Sequence, residues 1–99
     1  MSEISTEGSS VTIRPGCNIV ASVLDGLKTE LRGIIDENPA KLIIDFSGVT
    51  MIDSMGIGIL IATFNSLKKQ HAPLELINVS SEIASLLRNM RLNQYFSIS

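Results

Sequence analysis

Short apolar runs alternate with amphipathic segments along this chain, and the alternation restricts its possible folds more than any other feature. The stretches SSVTIRPG, KLIIDF and PLELINV have the length and composition of strands, and EIST is a shorter candidate before the first. KLIIDF is almost entirely apolar, which predicts a strand covered on both faces. YFSIS is a candidate for a last strand.

Three segments between these runs show helical periodicity. The first covers about 20–35, with apolar residues on one side and charges on the other, and Asn38 and Pro39 end it. The second covers about 54–71, and the third is SSEIASLLRNM, with Ser80 as its N-cap. Strands that alternate with helices predict an α/β fold with a largely parallel sheet and right-handed crossovers.

Length, composition and charge limit the classes of protein to which this chain can belong. A chain of 99 residues with 44% apolar composition predicts one domain over residues 1–99, with a short N-terminal hairpin and a core at about 10–98. The net charge is −2 and the basic residues are scattered, so no nucleic-acid partner is expected. With Cys17 as the single cysteine and no apolar run of about 20 residues, we expect a cytoplasmic protein without membrane insertion.

The second helix is apolar on two sides. One stripe suits packing on the sheet and consists of Ile57, Leu60, Ile61, Phe64 and Leu67. The opposite side carries Met55, Ile59 and Ala62, where a helix that covers a sheet normally has charges. Two explanations remain open. Either flanking helices bury this side, or it is an exposed patch that binds a partner protein or, weakly, a second copy of the chain.

The stretch TMIDSMGIG, residues 50–58, lies at the tip of a predicted strand-to-helix loop, where α/β folds usually place function. Ser54 is a candidate N-cap of the second helix, and Asp53 suits the positive end of its dipole. Gly56 and Gly58 are poor helix formers, which indicates close packing or close approach by another molecule. No phosphate-binding glycine motif, catalytic constellation or metal-ligand spacing is present, so we expect no enzyme, cofactor or metal.

The segment LIIDFSGVTMIDSMGIGIL, residues 42–60, resembles the signature of STAS domains, the family of bacterial anti-sigma factor antagonists. That signature is an apolar strand ending in Asp, a short loop, and Asp-Ser-small-Gly-apolar-Gly at the start of a helix. The similarity covers about residues 10–98. It implies a STAS-like single domain, with a small mixed, mostly parallel sheet and about three helices packed largely on one face.

The resemblance also implies a function. Ser54 matches the serine that a partner phosphorylates, and that partner is both serine kinase and anti-sigma factor. Asp45, Asp53 and Gly56 form the surroundings of this phosphoacceptor. The unphosphorylated domain binds the anti-sigma factor and frees the sigma factor, and a serine phosphatase restores this form. The patch on the outer side of the second helix is then the partner-binding surface.

Physical chemistry favours a switch at this position. A phosphate adds roughly −1.5 to −2 charges, which the positive end of a helix tolerates but an apolar interface does not. The family also implies an alternative, a non-phosphorylated STAS adaptor or scaffold subunit in a signalling or transport complex. One departure concerns Asn18, because many phosphorylated members have an aspartate at the matching position.

Overall fold

A computed structural model, which describes residues 2–99, contains five strands and three helices in the order ββαβαβαβ. The strands are β1 (Glu3–Glu7), β2 (Ser10–Arg14), β3 (Lys41–Asp45), β4 (Leu74–Ile77) and β5 (Ser97–Ile98). The helices are α1 (Leu24–Asp36), α2 (Ser54–Lys69) and α3 (Ser81–Asn89). Every strand and helix suggested by the sequence is present, including both short candidate strands. The first helix starts later than predicted, because a 3-10 turn at Ala21–Val23 precedes it.

The five strands form one mixed sheet in which neighbours in space are also neighbours in sequence. β1 pairs antiparallel with β2, and the other three pairings are parallel. Each helix therefore connects a strand to the next one along the same direction across the sheet. Since such crossovers are right-handed, all three helices lie on one face, which confirms the predicted architecture.

Among residues 2–99, no helix lies on the other face of the sheet. In β3, Leu42 and Ile44 are buried beneath the helices, whereas Ile43 between them is only half-buried. The prediction that KLIIDF is covered on both faces is therefore wrong. Ile43 is sheltered by its neighbours across the sheet, Thr12 and Glu75, because β3 is a central strand.

α2 lies on the sheet through the predicted stripe, with one exception. Leu60 and Leu67 are almost completely buried, but Ile61 is 37% exposed, so its prediction as a core residue is wrong. Ile61 lies at the edge of the stripe, because successive side chains such as those of Leu60 and Ile61 point 100° apart around the helix axis. No helix within residues 2–99 has both the length and the apolar character needed to cross a bilayer.

Candidate functional site

The β3–α2 loop, residues 46–53, lies against the β2–α1 loop at the carboxyl ends of the strands. The backbone of Ile19 forms a short parallel bridge with this loop. Its N–H donates to the carbonyl of Met51 at 3.1 Å, and its carbonyl accepts from the N–H of Asp53 at 3.2 Å. The bridge fixes the position from which α2 starts.

Asn18 holds the same loop through its side chain. Its Oδ1 accepts hydrogen bonds from the N–H of Thr50 at 2.8 Å, the hydroxyl of Thr50 at 3.1 Å and the N–H of Met51 at 3.1 Å. Sequence reasoning noted Asn18 only as a missing acid and did not predict this role. An Asn that follows a strand and a Pro-Gly turn is a recognisable signal, because its amide oxygen can replace a backbone acceptor.

Asp53 is the N-cap of α2. It is the last residue with an extended backbone, and its Oδ1 accepts from the N–H of Gly56 at 2.8 Å. Its Oδ2 accepts from the N–H of Ala21 at 2.9 Å, which ties α2 to the turn before α1. Ser54 is already helical and is exposed, so its prediction as the N-cap is wrong. The Gly56 and Ala21 N–H groups lower the pKa of Asp53, because they favour the ionised carboxylate.

Asp45 has a separate role at the end of β3. Its Oδ1 accepts from the N–H of Ser47 at 2.9 Å, the hydroxyl of Ser47 at 2.7 Å and the side-chain amide of Asn78 at 2.9 Å. Burial by itself raises the pKa of Asp45, but these hydrogen bonds and the charge of Arg14 lower it below its ordinary value. Asp45 thus joins the ends of β3 and β4, and sequence reasoning missed Asn78 as its partner.

The two glycines of α2 differ in what surrounds them. A Cβ on Gly56 would lie 2.3 Å from the carbonyl oxygen of Ile19 and 2.8 Å from Cγ1 of Ile52. The predicted close packing is confirmed here, because only glycine lets α2 start so near the Ile19 bridge. A Cβ on Gly58 would meet nothing within 4 Å in residues 2–99. Approach by another molecule therefore remains the open explanation for Gly58.

The outer side of α2 is buried in one part and exposed in another, so each of the two explanations that the sequence left open holds for part of it. Ile59 is only 7% exposed, because α1 packs beside it, so its assignment to an exposed patch is wrong. Met55 is 60% exposed and Ala62 is also at the surface. Together with Ser54 and Gly58 they form what we call the α2 outer face.

Comparison with known families decides the classification. The model of the STAS domain matches residues 2–99. This chain belongs to the STAS domain family. A comparison with curated protein sequences finds no match.

Solved structures agree with the STAS fold. A putative anti-sigma factor antagonist from Thermotoga maritima has a TM-score of 0.91 and 15% identity, covering 98% of this STAS domain and 84% of that chain. The antagonist SpoIIAA in its unphosphorylated form has a TM-score of 0.79 and 14% identity, and the alignment covers 100% of this STAS domain and 87% of that chain. The Bacillus cell fate determinant SpoIIAA in its phosphorylated form has a TM-score of 0.74 and 14% identity. The alignment covers 100% of this STAS domain and 91% of that chain.

The cap assignment in this STAS domain predicts unequal effects at two adjacent residues. Asp53→Ala removes the acceptor for both Gly56 and Ala21, and we expect a melting temperature roughly 4–8 °C lower, as for other lost helix caps in small domains. Ser54→Ala should shift it by less than about 3 °C, as usual for exposed positions. Thermal unfolding followed by circular dichroism measures both. A larger shift for Ser54→Ala would contradict the assignment.

The lowered pKa of Asp53 predicts how stability depends on acid. A carboxylate whose pKa is lower in the folded state stabilises the fold above its unfolded pKa, and that stabilisation disappears as the pH falls through the folded pKa. The contribution of Asp53 is therefore complete at neutral pH and is lost from about its ordinary value of 3.8 downward. In the Asp53→Asn variant, the free energy of unfolding measured by urea denaturation should therefore depend less on pH in this range. If the pH dependence of the unfolding free energy is unchanged in the variant, ionisation of Asp53 does not stabilise the fold.

Proposed function

We propose that this STAS domain is an anti-sigma factor antagonist, and that phosphorylation of Ser54 releases its partner, an anti-sigma factor with serine kinase activity. The observation that carries the proposal is the division of roles at the start of α2. Asp53 caps the helix, and Ser54 is exposed beside it. Because Ser54 is not needed as the cap, a kinase can modify its hydroxyl without removing a bond that supports the fold.

The fold is suited to accept a phosphate at this point. The first turn of α2 presents N–H groups and the positive end of the helix dipole, both of which favour an anion. The adjacent carboxylate of Asp53 is ionised and would repel the phosphate. Its two oxygens, however, already accept hydrogen bonds from Gly56 and Ala21, so part of its charge is compensated. We therefore expect the phosphorylated domain to stay folded.

The α2 outer face would then sense the modification. Met55 on this face is 60% exposed, Met51 in the loop before α2 is 58% exposed, and Met suits an adaptable contact with a partner. Gly58 and Ala62 present almost no side chain, which lets another backbone approach α2. A partner that covers this surface would have to remove water from a phosphate dianion at Ser54, which is costly. Phosphorylation thus weakens binding, and a serine phosphatase would restore it.

The structural neighbours support the class of partner. They include anti-sigma factor antagonists, one of them in a phosphorylated and an unphosphorylated form. On this proposal the domain is a regulatory binding protein rather than an enzyme. It would act in the bacterial cytoplasm, where the anti-sigma factor and its sigma factor are found.

The experiment that tests the proposal is an intact-mass measurement of the protein purified from its own cells, with the modified residue located by fragmentation. We expect one phosphate on Ser54, and none in a Ser54→Ala variant expressed at the same level. Cells should be sampled during growth and under stress. If no phosphate is found in either state, the alternative of a non-phosphorylated STAS adaptor takes its place.

A further inference from the structure

A groove runs between β1 and α1, at the edge of the sheet opposite to β5. It has a volume of about 290 Å³ and is open to solvent. Its floor is apolar, with Ile4, Val11 and Ile34. Ile4 is 48% exposed, although it lies on the same side of the sheet as Ile13, its buried partner on β2. A large apolar side chain on the helix side of the sheet is therefore left uncovered by residues 2–99.

The backbone of β1 is also available for pairing. β1 is an edge strand, and all five of its residues are exposed. The two-residue turn 8–9 joins it to β2, so Glu7 and Ser10 form a hydrogen-bonded pair. Because hydrogen-bonded and non-hydrogen-bonded pairs alternate along an antiparallel ladder, Ile4 and Thr6 direct their N–H and C=O groups away from β2. Such a row of unpaired groups is a template for another strand.

The charged side chains that line the groove, among residues 2–99, are both acidic. They are Glu30 and Glu37, on the flank of α1 that faces β1. Glu30 accepts hydrogen bonds from the N–H of Ser2 at 3.3 Å and from its hydroxyl at 2.8 Å, but neither carboxylate forms an ion pair within the described residues. Lys28 and Arg32 line the space between α1 and α2 instead. The groove therefore favours a cation.

Gly33 widens the groove between these two carboxylates. A Cβ at this position would meet no atom of residues 2–99 within 4 Å, so the packing of the domain does not require a glycine here. Glycine is nevertheless unfavourable in the interior of a helix compared with alanine. Its lack of a side chain lowers the α1 wall of the groove and leaves room for a chain that lies along β1.

We propose that a basic, extended segment of another protein adds to the sheet as a strand beside β1. Its backbone pairs with the outward N–H and C=O groups of Ile4 and Thr6. On the helix side of the sheet, its Lys or Arg side chains lay their apolar stems over Ile4 and bring their charges to Glu30 and Glu37. Edge pairing thus selects an extended segment, and the two carboxylates select its charge.

A second copy of the chain fits this edge less well. β1 contains Glu3 and Glu7 and no cation, so an antiparallel pair of β1 strands centred on Ser5 would place Glu3 opposite Glu7 of the other copy. Like charges in this arrangement destabilise a sheet. The inference goes beyond the proposed function and does not depend on it, because β1 lies on the other side of α1 from α2 and Ser54.

The test uses two blocked peptides of about seven residues, long enough to match β1. One alternates Thr with Lys, and the other alternates Thr with Glu. In a ¹⁵N NMR titration of the whole domain, the Lys peptide should shift the amide signals of Ile4, Thr6 and Gly33 in a saturable manner. At saturation, hydrogen exchange at the Ile4 and Thr6 amides should slow at least about tenfold, because their N–H groups become paired. Equal shifts by both peptides, no saturable shift, or shifts without slower exchange would overturn the proposal.

Paired charge variants locate the contact on α1. The double substitution Glu30→Gln and Glu37→Gln should weaken binding of the Lys peptide about tenfold, as expected for the loss of two exposed ion pairs. Asp25→Asn with Asp36→Asn removes the same charge from α1 outside the groove, and should change the affinity by less than about twofold because salt screens such distant charges. Equal weakening by the two double variants contradicts the proposal, as does no weakening by the first.

A proline variant tests the strand addition itself. Thr6→Pro removes an outward N–H at an edge position, where a strand tolerates proline, and should weaken peptide binding at least about tenfold in a domain that still unfolds cooperatively. Unchanged binding by this folded variant contradicts the proposal. Sedimentation of the domain without peptide should show a monomer. A dimer that Thr6→Pro abolishes would assign the edge to a second copy and overturn the proposal. None of these measurements involves the phosphate, so the mass measurement on Ser54 decides the proposed function separately.

Discussion

Gly56→Ala will strongly destabilise this STAS domain, and Gly58→Ala, two residues along the same helix, will not. The added methyl group at Gly56 would lie 2.3 Å from the carbonyl oxygen of Ile19, a distance that real structures essentially never contain. That oxygen cannot withdraw, because it accepts from the N–H of Asp53 in the bridge that positions α2. The start of α2 would have to move away from the β2–α1 loop.

The cost follows from what such a movement breaks. Overpacking a well-packed interior costs about 1–3 kcal/mol and occasionally more. Because the neighbour here is backbone, and because the Asp53 bond to Ala21 would be stretched as well, we expect about 3 kcal/mol or more. For a domain of this size that is a melting temperature roughly 12–24 °C lower. It is a large part of the roughly 5–15 kcal/mol that stabilises a small protein.

Gly58→Ala is the matched control. Its Cβ enters open space, and alanine is a better helix former than glycine, so we expect a gain of roughly 0.5–1 kcal/mol. Urea unfolding monitored by circular dichroism measures both variants on one scale. Equal losses of stability would show that helix propensity, and not the approach to Ile19, accounts for the glycines.

If the proposed function is right, Ser54→Asp should weaken binding of the anti-sigma factor about 100-fold, whereas Ser54→Ala should bind within about threefold of the unmodified domain. The aspartate places a fixed charge beside Met55 and Gly58, where the partner would exclude water. Leaving a charge unpaired in an interface costs about 2–5 kcal/mol, which corresponds to roughly 30-fold to several thousandfold in affinity. We expect the lower part of this range, because aspartate carries one charge and a phosphate nearly two.

Isothermal titration against the proposed anti-sigma factor partner measures these affinities. Ser85→Asp adds the same charge at an exposed position of α3 and should leave the affinity unchanged. Circular dichroism should show that all three variants are folded. If Ser54→Asp and Ser54→Ala bind equally well, Ser54 is not the switch, and a constitutive STAS adaptor becomes the better description.

Much of the fold follows from local patterns that the sequence displays directly. Strands and helices alternate because the apolar periodicity changes between short runs and 3.6-residue spacing, and the order of elements then determines a mostly parallel sheet. The stretch TMIDSMGIG could be placed at the carboxyl end of β3 for the same reason. Ser80 was recognisable as a cap, and its hydroxyl accepts from the N–H of Ile83 at 3.3 Å.

Contacts between distant parts of the chain were decided only by the tertiary structure. Asn18 and Thr50, like Asp45 and Asn78, are more than thirty residues apart, and no local pattern pairs them. The choice of cap at α2 depended on Asp53 keeping an extended backbone to reach the N–H of Ala21.

The two sides of α2 show the same limit. A helical wheel gives the direction of each side chain but not the distance to the neighbouring helix. α1 packs close to α2 and buries Ile59, while Ile61 on the other side remains partly exposed. The sequence by itself therefore determined the elements, their order and the position of Ser54. The tertiary structure decided which neighbouring residue supports α2 and which surface remains for a partner, because both depend on contacts between segments remote in the chain.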